Sequence, residues 1–215
     1  MKPYSILLFD LDGTLQDSAP GITKSVQFAM KKWGREIPLQ ELQGFVGPPL
    51  SWSFPHYFGL GEADTREAIR LFRTYYREHG VTDATLYDGI YDALATLKKR
   101  GYRLAIATSK PAVFLPRITA AFGIADFFEV IAGASPDDTG TKAEVVAEAL
   151  SRLGNPDPAT VLMIGDREHD IEGARANGVK TAGVLWGYGS REEFCSHGAA
   201  HIFESVADML AFLPA

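Results

Sequence analysis

Short apolar runs alternate along the chain with stretches whose apolar residues recur at helical spacing. The run Ser5–Phe9 predicts a buried strand that ends at Asp10. Further strands are predicted at Arg103–Thr108, Phe127–Ala132, Val161–Gly165 and Lys180–Leu185, with a short edge strand at His201–Phe203. Because strands that alternate with helices form parallel sheets covered by those helices, the pattern predicts an α/β fold with a Rossmann-like parallel sheet.

The helices between these strands are marked by apolar residues at positions i, i+3, i+4 and i+7. The clearest sets are Ile90, Ala93, Leu94 and Leu97, and then Val146, Ala149, Leu150 and Leu153. Asp88 is the predicted N-cap of the first helix, whereas Thr141 and Glu144 form a capping-box pattern before the second. A similar pair, Ser190 and Glu193, predicts a helix start near the C-terminal end of the sheet.

A different pattern separates the first two strands, because residues 21–79 contain no convincing strand. Ile22, Val26, Ala29, Met30 and Trp33 outline one helical stripe, and two more helices are predicted on either side of a turn at Gly59–Gly61. We therefore expect an α-helical insertion. The predicted domains are an α/β core at 1–17 and 82–215 and a helical cap at 18–81.

Composition and charge narrow the class of protein. Lys and Arg total 21 against 27 Asp and Glu, and the resulting net charge of -6 argues against binding a nucleic-acid backbone. No segment reads as a secretory signal or a membrane span. The single cysteine, Cys195, suits a reducing compartment, so a cytoplasmic protein without membrane partners is expected. Monomer and homodimer both stay open.

Acidic residues follow two of the predicted strands. Asp10 and Asp12 come directly after the first strand, with Gly13 beside them, and Asp166 and Asp170 follow Val161–Gly165. Ligands of open α/β sheets bind at the carboxyl ends of the strands, so these acids can converge there. Clustered carboxylates repel one another and select a hard cation such as Mg²⁺. Taken alone, Asp10 and Asp12 read more plainly as an acidic turn in solvent, and Asp166 and Asp170 as acids that cap a helix or lie in its first turn.

Other strand ends and helix starts add hydroxyls and lysines. Thr108 and Ser109 follow the second predicted strand, where a hydroxyl and backbone N–H groups can bind phosphate oxygens. Lys142 opens the capping-box helix, where a positive charge opposes the helix dipole and so indicates another role. Lys110 and Lys142 each read, in isolation, as solvated surface groups. His169 is expected to be a surface residue, since a carboxylate site for Mg²⁺ has little use for imidazole.

Together these motifs resemble the haloacid dehalogenase-like hydrolase superfamily. Asp10–Leu15 (DLDGTL), Thr108, Lys142 and the Gly165–Asp170 string occur in the order of that superfamily's motifs, and the resemblance covers nearly the whole chain. The helical insertion is similar to the cap of the phosphoglycolate phosphatase-like branch. Phe45–Leu50 (FVGPPL) and Gly165–Ile171 are similar to bacterial 5'-nucleotidase-like members.

The resemblance implies a Mg²⁺-dependent phosphomonoesterase that acts on a small phosphorylated metabolite, with a mononucleotide among the candidates. It makes Asp10 the nucleophile and Asp12 the general acid and base. It assigns the metal to Asp10, Asp12 (through its backbone carbonyl) and Asp166, with Asp170 in support. Thr108, Ser109 and Lys142 then bind the phosphoryl oxygens, and Lys142 is counted with the catalytic residues.

Rival interpretations remain open at this stage. A sugar-phosphate phosphomutase shares Asp10, Asp12 and the cap. A dehalogenase of the superfamily lacks the acid at position 12, and a phosphate-sensing or partner-binding module would not need both acids. Four cap aromatics are expected to pack the cap core or its contact with the main domain, although stacking on a nucleobase is the functional alternative: Trp52, Phe54, Tyr57 and Phe58.

Overall fold

The computed structural model describes residues 3–135 and 140–215, so Met1 and Lys2 of the predicted core lie outside the described residues. The chain forms two compact units, one of residues 1–16 and 86–215 and the other of residues 17–85. The strands are β1 (Ile6–Phe9), β2 (Gln16–Asp17), β3 (Thr85–Leu86), β4 (Arg103–Pro111), β5 (Val130–Ala134), β6 (Val161–Gly165), β7 (Lys180–Val184) and β8 (His201–Phe203). The helices are α1 (Ala19–Met30), α2 (Leu50–Phe58), α3 (Glu62–Glu78), α4 (Ile90–Lys99), α5 (Leu115–Ala121), α6 (Lys142–Arg152), α7 (Glu168–Ala176), α8 (Arg191–His197) and α9 (Val206–Phe212).

Within the described residues, the first unit is built on a six-stranded sheet in the order β5-β4-β1-β6-β7-β8. Every pairing of neighbouring strands in it is parallel. Strand β1 is central: Phe9 pairs with Ile106 on one side and with Ile164 on the other. The predicted α/β fold is confirmed, with a helical region between β1 and β4.

Burial explains why these strands read as almost continuous apolar runs. All four residues of β1 and all five of β6 are buried, as expected for a parallel sheet with helices on both faces. The predicted helical stripes around Ile90 and Val146 are buried in α4 and α6. In the described part of the chain, no helix is long and apolar enough to cross a membrane.

Two local predictions are wrong. Asp88 is not the N-cap of α4, because Gly89, with a φ of 80°, occupies that position. The predicted strand Phe127–Ala132 is shifted, since Ala125–Phe127 forms a 3₁₀ turn and the strand runs from Val130 to Ala134. In both cases a turn takes residues that spacing alone assigned to a regular element or its cap.

The second unit is helical, and its aromatic residues divide into buried and exposed members. Phe54 of α2 is fully buried and packs edge-on against Phe45, with 5.1 Å between ring centroids. Trp52 and Tyr57 are 50% and 44% exposed. Trp52 stacks on His56 at 4.2 Å. The expected core packing therefore holds for Phe54, whereas Trp52 presents a large face to solvent.

Candidate active site

The acidic residues converge because β1 and β6 are neighbours in register. Phe9 pairs with Ile164, and the Asp10 backbone N–H donates to the Ile164 carbonyl at 2.9 Å. Asp10 follows β1 directly and Asp166 follows β6 directly, so both leave the sheet at the same carboxyl edge. Carboxylate oxygens of Asp10, Asp166 and Asp170 lie within 4.8 Å of one another, and all three residues are buried.

Lys142 joins this acidic group from the first position of α6. Its Nζ lies 2.6 Å from Asp10 Oδ1 and 2.6 Å from Asp170 Oδ1. The predicted capping box before it is confirmed, because the Thr141 hydroxyl accepts from the Glu144 N–H and the Glu144 carboxylate accepts from the Thr141 N–H. This cap fixes the first turn of α6. Two carboxylates thus stabilise a buried lysine that the helix dipole disfavours.

Burial and like charge shape the ionisation of the group. Burial raises the pKa of Asp10 to about 6, with Lys142 opposing this shift and the charges of Asp170 and Asp12 adding to it. Burial also raises the pKa of Asp166 well above its usual range, and the charges of Asp170 and Asp10 raise it further. Burial lowers the pKa of Lys142, but Asp10 and Asp170 outweigh this effect and leave it raised. Burial therefore dominates the ionisation of Asp10 and Asp166 and favours the neutral form of both carboxyl groups.

Asp170 is held by the protein through both carboxylate oxygens. Its Oδ1 pairs with Lys142, and its Oδ2 accepts from the backbone N–H groups of Asp166 and Arg167 at 3.0 and 3.1 Å. These bonds tie the first turn of α7 to the end of β6. Asp170 is thus placed to fix the position of Asp166 and of Lys142.

The Asp12 carboxylate points to different partners. Its Oδ1 accepts from Gln16 Nε2 at 2.7 Å, and its Oδ2 lies 2.6 Å from Lys110 Nζ. The interpretation of Lys110 as a solvated lysine is wrong, because it is buried in β4. Strand periodicity could have revealed this: residues two apart share a face of a strand, and Thr108 already marked that face.

Thr108 and Ser109 lie in β4 beside β1, at the same edge of the sheet. Thr108 is buried and its hydroxyl accepts from the Lys110 N–H at 3.2 Å, whereas Ser109 is exposed.

His169 is exposed, as expected, and approaches Glu168 at 3.6 Å.

Residues 186–189, which follow β7, contact Asp166 and the turn after β1. The Tyr188 N–H donates to Asp166 Oδ2 at 2.9 Å, and Trp186 Nε1 donates to the Thr14 carbonyl at 2.9 Å. A β-carbon on Gly187 would lie 2.2 Å from the Gly13 carbonyl oxygen, so this approach requires glycine. The sequence predicted a capping pair of Ser190 and Glu193 just after this segment, and Ser190 does cap α8, but the contact of Tyr188 with Asp166 was not predicted.

Gly13 is required for two separate reasons. Its φ of 81° lies in the left-handed region that favours glycine. A β-carbon there would also lie 2.1 Å from Asp166 Oδ2. The glycine after Asp12 therefore lets the chain turn while Asp166 approaches its backbone.

The donor set fits a hard divalent cation. The three converging groups are buried carboxylates, the ligand type that Mg²⁺ prefers. Cysteine and histidine do not belong to this acidic group, so the chemistry of the donors does not favour a softer metal.

Comparison with known proteins places this geometry in a family. The chain matches the family described as haloacid dehalogenase-like hydrolase over residues 7–184. That range covers most of the chain and contains the strand ends that carry Asp10, Thr108 and Asp166. The chain belongs to this family. The resemblance inferred from the sequence motifs is confirmed.

Several named proteins are similar to this chain in sequence or in structure. A 5'-nucleotidase from Pseudomonas aeruginosa is 41% identical over 95% of this chain and 93% of its own length. Tyrosine-protein kinase PtkA from Mycobacterium tuberculosis is 46% identical over 86% of this chain, which spans 63% of that longer protein. A solved structure described as a candidate phosphatase from Clostridium difficile has a TM-score of 0.94 at 39% identity, with 100% of both chains covered.

Relatives named phosphoglycolate phosphatase and pyrophosphatase also match this chain. The prediction that the chain is an enzyme, a phosphatase of the haloacid dehalogenase-like hydrolases, is confirmed at the level of enzyme class.

Proposed function

We propose that the protein is a Mg²⁺-dependent phosphomonoesterase that works through an aspartyl-phosphate on Asp10. The observation that carries this proposal is the buried group in which Asp10, Asp166 and Asp170 converge, with Lys142 paired to Asp10 and Asp170. A carboxylate nucleophile, a metal-ligating acid and a cation for the phosphoryl group are thereby within reach of one point, as phosphoryl transfer requires.

The reaction has two steps. Asp10 attacks phosphorus in line, and the bond to the leaving oxygen breaks while Asp12 donates a proton to it. Asp12 then accepts a proton from the water that attacks the aspartyl-phosphate, and Asp10 is released as a carboxylate. Because little covalent work is left to the protein, the rate depends on placing charges correctly.

The proposal also assigns binding roles to residues at this edge of the sheet. Lys142, the Thr108 hydroxyl and the Ser109 N–H bind the phosphoryl oxygens. Mg²⁺ would be held by Asp10, the Asp12 backbone carbonyl and Asp166, with Asp170 in support, and when bound it would neutralise phosphoryl charge. Removal of one charged donor of this kind costs about 3 to 4 kcal/mol of transition-state stabilisation.

The substrate class is a small phosphorylated metabolite. The 5'-nucleotidase relative, at 41% identity over nearly both full lengths, favours a nucleoside monophosphate. The phosphoglycolate phosphatase relative keeps a compact carboxylated ester as the second candidate.

A phosphate-release assay tests the proposal. With an aryl phosphate and Mg²⁺ we expect turnover in the native protein, loss of turnover on chelation, and none with Asp10→Asn. Asp92→Asn, which removes an exposed carboxylate of α4, is the matched control and should be active. Phosphate release that persists in Asp10→Asn would contradict the nucleophile assignment.

A panel of nucleoside monophosphates, phosphoglycolate and sugar phosphates then ranks the substrates. Two rival activities are tested alongside this panel. Interconversion of sugar-phosphate isomers without phosphate release would indicate a mutase. Because one relative is named a tyrosine-protein kinase, transfer of a nucleotide phosphate to a tyrosine peptide is assayed in parallel.

A further inference from the structure

The carboxylate of Asp12 is held from two sides by side chains of the sheet unit. Gln16 Nε2 donates to Oδ1 at 2.7 Å, and Lys110 Nζ lies 2.6 Å from Oδ2. The Asp12 side chain keeps 19% of its surface exposed, whereas that of Lys110 keeps 5%. The Asp12 side chain is therefore partly accessible to solvent, while two buried groups contact its carboxylate oxygens.

The backbone brings Gln16 to this place. The chain turns after β1, so that Asp12 and Gln16 form an isolated parallel bridge and the Gly13 N–H donates to the Gln16 carbonyl at 2.8 Å. Lys110 comes from β4, which pairs directly with β1. Gln16 opens β2 and Lys110 lies in β4, so a strand carries each of the two side chains.

Burial of the Gln16 side chain at this position is energetically unfavourable. Its residue surface is fully buried, yet its amide oxygen Oε1 has no hydrogen-bond partner among the described residues. An unsatisfied buried acceptor costs free energy, and an apolar side chain of similar volume would avoid that cost. The hydrogen bond from the Gln16 amide to Asp12 is the interaction that a buried apolar side chain could not make.

We propose that Gln16 and Lys110 are positioning residues that orient the Asp12 carboxylate for proton transfer. This inference rests on the proposed function, in which Asp12 gives its proton to the leaving oxygen and later takes one from the attacking water. Proton transfer needs the donor within hydrogen-bond reach of the leaving oxygen in a defined direction. Two bonds from different directions prevent the carboxylate from rotating about its Cβ–Cγ bond.

The test exploits leaving groups that differ in their need for a proton. An aryl oxygen leaves readily as an anion, whereas an alkoxide needs protonation as its bond to phosphorus breaks. We compare kcat/KM for an aryl phosphate and an alkyl phosphate, because this parameter reports the steps through departure of the leaving group. The variants are Gln16→Met and Lys110→Met, with Lys110→Arg as the conservative replacement.

In Gln16→Met we expect kcat/KM for the alkyl phosphate to fall about 10- to 100-fold, because a misoriented acid loses part of the roughly 100- to 10,000-fold that general-acid catalysis contributes, and that for the aryl phosphate to change by about threefold or less. Lys110→Met should show the same split, and Lys110→Arg should recover part of the alkyl activity. Lys99→Met, which removes an exposed lysine of α4, should leave both values unchanged.

Equal losses for both substrates, with weaker inhibition by inorganic phosphate, would overturn the inference, because Lys110 would then bind the phosphoryl group. Unchanged activity in Gln16→Met would overturn it as well. If Lys110→Met fails to fold, the near-isosteric Gln16→Met and the charge-conserving Lys110→Arg decide the matter. A native protein that hydrolyses neither ester contradicts the proposed function instead, so the two failures are distinguishable.

Discussion

Asp10 combines burial with a need for negative charge. The residue is buried, and burial raises its pKa by more than the charge of Lys142 lowers it, while the charges of Asp170 and Asp12 raise it further. A nucleophile in such a place is poorly solvated and therefore reactive, but the folded protein is destabilised by its charge. The same residue should thus limit stability while it supports catalysis.

The pH dependence of stability tests this balance in metal-free protein. Burial raises the pKa of Asp10 from 3.8 to about 6. Since the folded state binds this proton more tightly than the unfolded state, folding stability falls as the pH rises from about 4 through about 6. In chelator, Asp10→Asn should be more stable than the native protein above pH 6, by at most about 3 kcal/mol, and nearly equal below pH 4.

Chemical denaturation at several pH values measures this difference. Asp92→Asn controls for removal of an acid that is exposed. A native protein that is more stable than Asp10→Asn above pH 6 without metal would show that the Lys142 pair outweighs the burial penalty.

Residue-level prediction from the sequence succeeded where a motif concentrated the signal. Asp10, Asp166 and Asp170 follow buried strands or open a helix, and the structure brings them together. Gln16 and Trp186 escaped notice, and Lys110 was interpreted as a solvated group, because their partners are separated from them by turns or by a large part of the chain. The spacing of residues along the chain carries no information about such contacts.

At the scale of elements, helix starts deliver charged side chains to the sheet edge. Helix α6 begins with Lys142, and its capping box sets the direction of that first turn. Helix α7 follows β6 and supplies Asp170 two residues after its start. Caps and strand ends, rather than helix interiors, therefore determine the geometry of the acidic group.

Loss of a cap should affect activity only where the cap supports the site. Thr141→Ala and Ser205→Ala each remove an N-cap hydroxyl that accepts a backbone N–H, so each should destabilise the protein by about 1 kcal/mol. Thr141→Ala should also lower kcat about tenfold or more, since small displacements of a charged group are costly. Ser205→Ala, at the start of α9, should keep its kcat.

Thermal unfolding and steady-state kinetics on both variants make the comparison. Equal kcat values in the two variants would mean that Lys142 does not depend on its cap for position.

Element prediction was accurate where apolar spacing was strong and failed where turns intervened. Strands β6 and β8 have the predicted bounds, and the stripe of α4 is buried as expected. The start of α4 and the position of β5 were missed because they are set by the backbone conformation of Gly89 and of the Ala125–Phe127 turn. The spacing of apolar residues does not reveal either conformation.

At the scale of the whole molecule, the sheet unit contains every residue to which we assign a chemical role. The helical unit, residues 17–85, was recognisable from its lack of strand patterns. The cap boundaries 18–81 and the cap's part in substrate choice stay predictions. Its exposed aromatic residues could not be separated from its core aromatics by sequence, because both occur in one short helix.

Metal binding should stabilise the whole protein through the acidic group. At a Mg²⁺ concentration about 100 times the dissociation constant, a ligand that binds the folded state adds about 2.7 kcal/mol. We expect this increase in the native protein and in Asp92→Asn, and its loss in Asp166→Asn. Chemical denaturation with and without Mg²⁺ measures it, and an undiminished gain in Asp166→Asn would place the metal elsewhere.

The nucleophilic role of Asp10 is tested most directly by trapping the covalent intermediate. The protein is mixed with an aryl phosphate and Mg²⁺, quenched in acid during the first turnover, digested and mapped by mass spectrometry. We predict a phosphoryl group on Asp10 in an amount that matches the leaving group released. A burst of leaving group with the phosphoryl group on another side chain, and none on Asp10, would contradict the account.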